Sequence, residues 1–176
     1  MMNTIFLFGT IAGLIEGALL LAAFQFLGTE GGSGNLLFGY LSMILSLSMI
    51  FFGVKHYRDR ELGGVIRFMP ALLVGLAISV VGGIIYVAIW EVYLAATHYT
   101  FAETFASSYV ASQKAAGLSG EKLDRLIAEM QEFKVQYANP LYRWPMTFIE
   151  IFPVGVLISL ISAAVLRNSK ALPDQA

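Results

Sequence analysis

Four stretches of this chain are long and apolar enough to cross a lipid bilayer, and they leave room for little else. A spanning helix needs about 20 mostly apolar residues to cover roughly 30 Å of hydrocarbon. Such stretches run from about 4 to 27, 36 to 54, 66 to 95 and 145 to 166. An unpaired backbone group in hydrocarbon costs several kcal/mol, so each stretch is expected to be helical. The predicted fold is therefore all-α, a polytopic membrane protein with four transmembrane helices in one domain over residues 1–176. Composition agrees. The 176 residues are 57% hydrophobic and only 13% charged, where soluble domains carry about 25% charge. There is no cysteine, which excludes disulfides, thiol catalysis and thiolate metal sites. A net charge of −1 gives no reason to expect a nucleic-acid partner. The first stretch has no basic leader, is longer than a signal-peptide core and precedes no clear small-x-small cleavage site. It reads as a retained helix that also serves as the insertion signal.

Lysines and arginines near the helix ends set the expected orientation. The second loop carries Lys55, Arg58 and Arg60, with Arg67 just beyond, and the tail carries Arg167 and Lys170. The first loop has only Glu30, within a Gly/Ser-rich linker from Gly28 to Asn35. Both termini are thus expected in the cytoplasm. The third loop is also basic (Lys114, Lys122, Arg125, Lys134, Arg143), but five acids accompany these residues. Most of the bases also lie far along a structured loop, where the rule weakens. Trp90, Tyr93, Tyr99, Tyr142 and Trp144 mark the outer interface.

That third loop, about 99–139, reads as an extramembrane helical hairpin. Thr100 with Glu103 forms a capping-box pattern for a first helix ending near Gly117. Ser119 is a candidate cap for a second, whose Leu123, Leu126, Ile127, Met130, Phe133 and Tyr137 recur at helical spacing. Glu121, Arg125 and Glu129 form an i, i+4 ladder on the other face. Asn139-Pro140 ends it. The apolar stripe needs a cover: the bundle's own surface, lipid headgroups or a protein partner.

Lipid is as apolar as leucine, so membrane helices associate through close approach of small residues and through hydrogen bonds. Every span has a small-residue stripe. The first has Gly9, Gly13 and Gly17; the second Gly39, Ser42, Ser46 and Gly53; the third Gly75, Ser79 and Gly83; the fourth Gly155, Ser159 and Ala163. Packing within the chain is the plainer use. Homo-oligomerisation on Gly9-Gly13-Gly17 is the alternative.

Three acids need explaining. Glu16 falls near mid-bilayer, where a carboxylate is costly unless it faces the bundle interior or a wet cavity. Its neighbours three, four and seven residues away are mostly small, so it shares the packing face. It is expected to be protonated or paired at neutral pH. Glu150 lies about one turn into the fourth span, three residues before Pro153. Proline removes a helical hydrogen bond and disturbs the carbonyl four residues back, and a kink beside a carboxylate is one way to expose backbone oxygens to ions. Glu91 closes the third span. Together these acids suggest proton or cation handling. The plainer alternative is a hydrogen-bonded Glu16, with Glu91 and Glu150 reaching water and Glu150 paired with Arg143. Gln25 and His98 fall on the rim, and His56 beside Asp59 reads as a solvated turn. No phosphate loop, metal-binding helix motif or nucleophile elbow is present, so no catalytic residue, metal or cofactor is assigned.

The segment Phe52-Gly53-Val54-Lys55-His56-Tyr57-Arg58-Asp59, followed by Gly63-Gly64, Arg67-Phe68 and Gly75, resembles a bacterial family of small four-span proteins, domain of unknown function 4199. The spacing of the spans, the long loop before the last one and the acid in the first span extend the likeness over nearly the whole chain. The resemblance implies a bacterial inner membrane and no established activity. In the turn itself, Gly63-Gly64 permits a tight reversal. Lys55, Arg58 and Arg67 can meet lipid phosphates, or Arg58 can pair with Asp59 or Glu61. Function is expected to be non-enzymatic: an accessory or scaffold protein that contacts lipids and an envelope partner. The alternatives are a small proton- or cation-coupled transporter subunit and a lipid-handling protein.

Overall fold

The computed structural model describes residues 1–27, 33–168 and 172. The expectations for Glu30, for most of the Gly28–Asn35 linker and for Lys170 lie outside the described residues, as does the side chain of Gln25. The described residues form six α-helices and no strand: α1 (Met2–Leu27), α2 (Ser33–His56), α3 (Phe68–Ala96), α4 (Phe101–Ala115), α5 (Glu121–Tyr137) and α6 (Pro140–Leu166). Four helices are long and apolar enough to span a membrane, over Met2–Phe24, Leu37–Glu61, Phe68–Ala96 and Pro140–Leu166.

Two boundaries differ from the sequence expectation. The second span does not stop at Val54; α2 runs on through a π-helical turn, Tyr57–Glu61. The chain then reverses at Gly63 and Gly64, with φ of +67° and +91°, values that glycine adopts without a Cβ penalty. The fourth helix starts not at Pro145 but at Pro140. Asn139 Oδ1 caps it by accepting from the Leu141 amide at 3.0 Å, and proline suits the first helical position because its missing N–H would be unpaired there anyway. Pro145 and Pro153 both lie inside α6, which stays continuous through them. α6 is thus unbroken at Pro153.

Around the bundle the spans follow the order α1, α2, α6, α3. Each packs on its two neighbours, and α2 and α3 also meet across the centre. Leu7, Leu14 and Leu21 of α1 point outward, while the same helix presents Gly9, Gly13 and Gly17 to α3. A Cβ on Gly13 would lie 2.6 Å from the Gly82 carbonyl oxygen, and one on Gly9 only 2.6 Å from Val81 Cβ. The Gly9-Gly13-Gly17 face is thus taken by α3 within the chain. On its other side α3 meets α6: Ser159 abuts Gly75, Ser79 abuts Gly155 and Phe148 covers Gly83. Gly82, which the sequence reading passed over, sits where α1 and α3 cross. Gly39 is not a packing residue, since nothing lies within 4 Å of a Cβ built there. Ile50, Val54, Ile78, Ile151 and Leu166 fill the half of the bundle near the Tyr57–Glu61 turn.

The hairpin closes the other end. Neither expected side-chain cap forms. Thr100 has helical φ and ψ and its hydroxyl donates to the Thr97 carbonyl. Gly120, not Ser119, precedes α5, with φ of +60°. Glu103 instead accepts from Lys134 at 2.8 Å, tying α4 to α5. Of the exposed ladder, Arg125 donates to Glu121. α5 packs against α4, and Phe133 and Tyr137 of its apolar stripe join Phe24, Trp90 and Phe101 in one aromatic cluster, while Ile127 stays exposed.

Candidate functional site

Glu16 points inward and is 2% exposed. Ser46 Oγ lies 2.7 Å from Glu16 Oε2, and Ser42 Oγ lies 3.1 Å from Oε1. Both serines also lie within reach of carbonyls of their own helix, Met43 for Ser46 and Gly39 for Ser42. Each hydroxyl has one proton to give. If it goes to Glu16, the carboxylate is received in its ionised form. If it goes to the helix carbonyl, the serine oxygen is free to accept from a protonated Glu16. The α2 serines thus serve both protonation states without any movement of backbone.

Glu150 reaches the same place from α6. A cavity of about 160 Å³ on the bundle axis is lined by Glu16, Ser42, Gly39, Tyr86 and Glu150 among others, so all four spans contribute to it. Above it, towards the hairpin, lies a second cavity of about 310 Å³. The two share Leu20, Phe24, Tyr86 and Glu150 and form one cleft. Phe101, Phe105, Phe133 and Tyr137 of the hairpin line its upper part together with Trp90 and Met146. Glu150 is exposed to this cleft and accepts no hydrogen bond from any described residue. Trp90 Nε1 donates to Tyr137 Oη at 2.7 Å, fixing one wall. Burial raises the Tyr137 phenol above its ordinary range, so it stays a neutral hydroxyl.

Glu91 is elsewhere. Arg143 grips it with two nitrogens, Nη2 to Oε1 at 2.6 Å and Nε to Oε2 at 3.1 Å. Trp144 Nε1 and Tyr99 Oη also donate to it. Arg143 is 2% exposed and its remaining nitrogen donates to the Tyr137 carbonyl at 2.7 Å. The expected Glu150–Arg143 pair does not form, because Glu91 takes the guanidinium in a two-pronged geometry that a second carboxylate cannot match. Tyr99, which lies over Arg143 with its ring 5.3 Å away, has φ of +57° beside His98 at +53°. That clasp holds the α3–α4 corner in a strained conformation. Three acids were grouped from the sequence; the structure keeps Glu16 and Glu150 together and assigns Glu91 to the joint between α3, α6 and the hairpin.

The basic turn also divides. Arg58 is fully buried, donates through Nε to Asp59 at 2.6 Å and reaches the Leu172 carbonyl at 2.7 Å. It ties the turn to the chain beyond α6 and is not available to headgroups. Lys55 pairs with the same Asp59. Glu61 accepts from Thr4 and from the amino group of Met1. Arg60 and Arg67 remain exposed. His56 lies against the ring of Phe8.

A profile of the family described as protein of unknown function DUF4199 matches residues 7–168. The chain belongs to the DUF4199 family. The match takes in every span, the hairpin and each acid discussed above, so the Glu16–Glu150 cleft lies wholly within the DUF4199 region. This DUF4199 chain matches no curated protein and no solved structure.

Proposed function

We propose that the chain is a small, non-enzymatic membrane subunit that binds a proton or cation at Glu16 and Glu150, in the manner of a proton- or cation-coupled transporter component. The observation that carries this reading is the axial cleft onto which both carboxylates open. A purely structural Glu16 explains its serines but not a second carboxylate left without a donor in the same apolar space, where an uncompensated charge is expensive. A proton or a cation resolves that cost. The alternative is an accessory or scaffold protein with the hairpin and the basic turn as contact surfaces; of the hairpin's apolar stripe, Phe133 and Tyr137 are covered by the chain itself, while Ile127 stays exposed. The distribution of lysine and arginine along the chain supports both termini on the cytoplasmic side, and the family resemblance supports a bacterial inner membrane.

A hydrophobic carbodiimide, which attacks protonated carboxyl groups in apolar surroundings, tests the assignment. Intact mass measurement of the purified protein at neutral pH is expected to show adducts that fall by one in Glu16→Gln and by one in Glu150→Gln. Proton flux into dye-loaded liposomes containing the protein is expected to drop in both variants. An adduct pattern identical in wild type and both variants overturns the proposal.

A further inference from the structure

We propose that the cleft is a binding site for a small hydrophobic organic ammonium ion, seated with its charged nitrogen at Glu150 and its apolar body among the aromatic side chains of the upper cavity. This deepens the function proposed above and rests on it. Charge is the first argument. Among the described residues lining the two connected cavities there are two carboxylates and no lysine, arginine or histidine. The nearby guanidinium of Arg143 is committed to Glu91. An anion would meet uncompensated repulsion there.

Wall chemistry is the second argument. Hard metal ions such as calcium take six or more oxygen ligands, and the upper cavity presents mostly carbon. Phe24, Tyr86, Trp90, Phe101, Phe105 and Phe133 line it. Aromatic faces attract organic cations through the ring quadrupole, and desolvation strengthens that attraction. A carboxylate beside aromatic walls matches a quaternary or protonated amine in charge and in surface at once. Size is the third. At about 310 Å³ the upper cavity stands at the lower end of ligand pockets, which suits a single ring or a short branched chain with its ammonium group. The lower cavity continues from Glu150 to Glu16, so the ligand's charge and the proton of Glu16 would share one field.

Phenyltrimethylammonium and its uncharged carbon isostere, tert-butylbenzene, separate charge from shape. Calorimetric titration of the full-length protein in detergent is expected to show saturable binding of the cation. Glu150→Gln is expected to weaken it by on the order of tenfold or more, as when one partner of a desolvated charge pair is removed, and to leave the isostere unaffected. Phe105→Leu keeps an apolar wall but removes a ring, and is expected to weaken the cation more than the isostere. Equal cation affinity in wild type and Glu150→Gln overturns the ammonium assignment. So does a wild-type protein that takes carbodiimide at both acids yet binds no cation, and in that case the carboxylate reading survives. Loss of both signals removes the two together.

Discussion

Individual side chains divide here into those that hold the fold and those left with something to do. Glu91 belongs to the first group. Its carboxylate accepts from Arg143, Trp144 and Tyr99, and removing its charge leaves a buried guanidinium uncompensated. Glu91→Gln is expected to destabilise the protein by about 2–3 kcal/mol, read as a fall in the detergent melting temperature, while Glu150→Gln leaves that temperature unchanged or raised. The reverse order would place the structural carboxylate on the wrong helix. Ser79 makes the opposite case. Its buried hydroxyl faces Gly155 with no hydrogen-bond partner among the described residues. Ser79→Ala is expected to keep or raise stability by up to about 1 kcal/mol, since an unsatisfied buried hydroxyl costs and its removal does not. A clear loss of stability would reveal a partner for that hydroxyl. An inward Glu16 was legible in the sequence because most of its neighbours on the same helix face, Gly9, Ala12, Gly13 and Ala23, are small. Its serine partners and the pairing of Glu91 with Arg143 were not, because those contacts join residues on different helices and no local spacing encodes them.

Among the helices, closeness is set by glycine, but only where a neighbour is actually near. A Cβ on Gly13 meets the backbone carbonyl of Gly82, which cannot swing aside as a side chain would. Gly13→Ala is therefore expected to cost about 1–3 kcal/mol, with a lower melting temperature, whereas Gly39→Ala, facing open space, is expected to change little. Equal effects of the two substitutions would contradict the α1–α3 contact. Small-residue stripes identified the contacting faces from sequence, yet Gly39 and Gly82 show the limit of that reading. Spacing alone cannot say which small residue meets a neighbour and which lines a void. The start of α6 was missed for a related reason. Pro145 and Pro140 are both plausible first residues, and the decision falls to Asn139, whose side chain caps the earlier one.

For the molecule as a whole, four spans and the intervening hairpin were readable because hydrocarbon thickness and helical rise fix how many apolar residues a crossing takes. Sidedness is a matter of where lysine and arginine fall. Reporter fusions after Asn35, Glu61 and Gly117 are expected to report outside, inside and outside in that order, and the opposite pattern would reverse the orientation. The cleft itself was out of reach of the sequence, since it arises from α1 and α6 standing diagonally apart while α2 and α3 touch. Below that cleft Ile50, Ile78 and Ile151 are buried among the spans, and Arg58 pairs with Asp59 at the far end. Among the described residues, this aliphatic layer stands between the cleft and the Tyr57–Glu61 turn. A ligand seated among the aromatic side chains would meet that aliphatic plug on its way to the far end, so under the function proposed above vectorial movement requires a second arrangement of the helices.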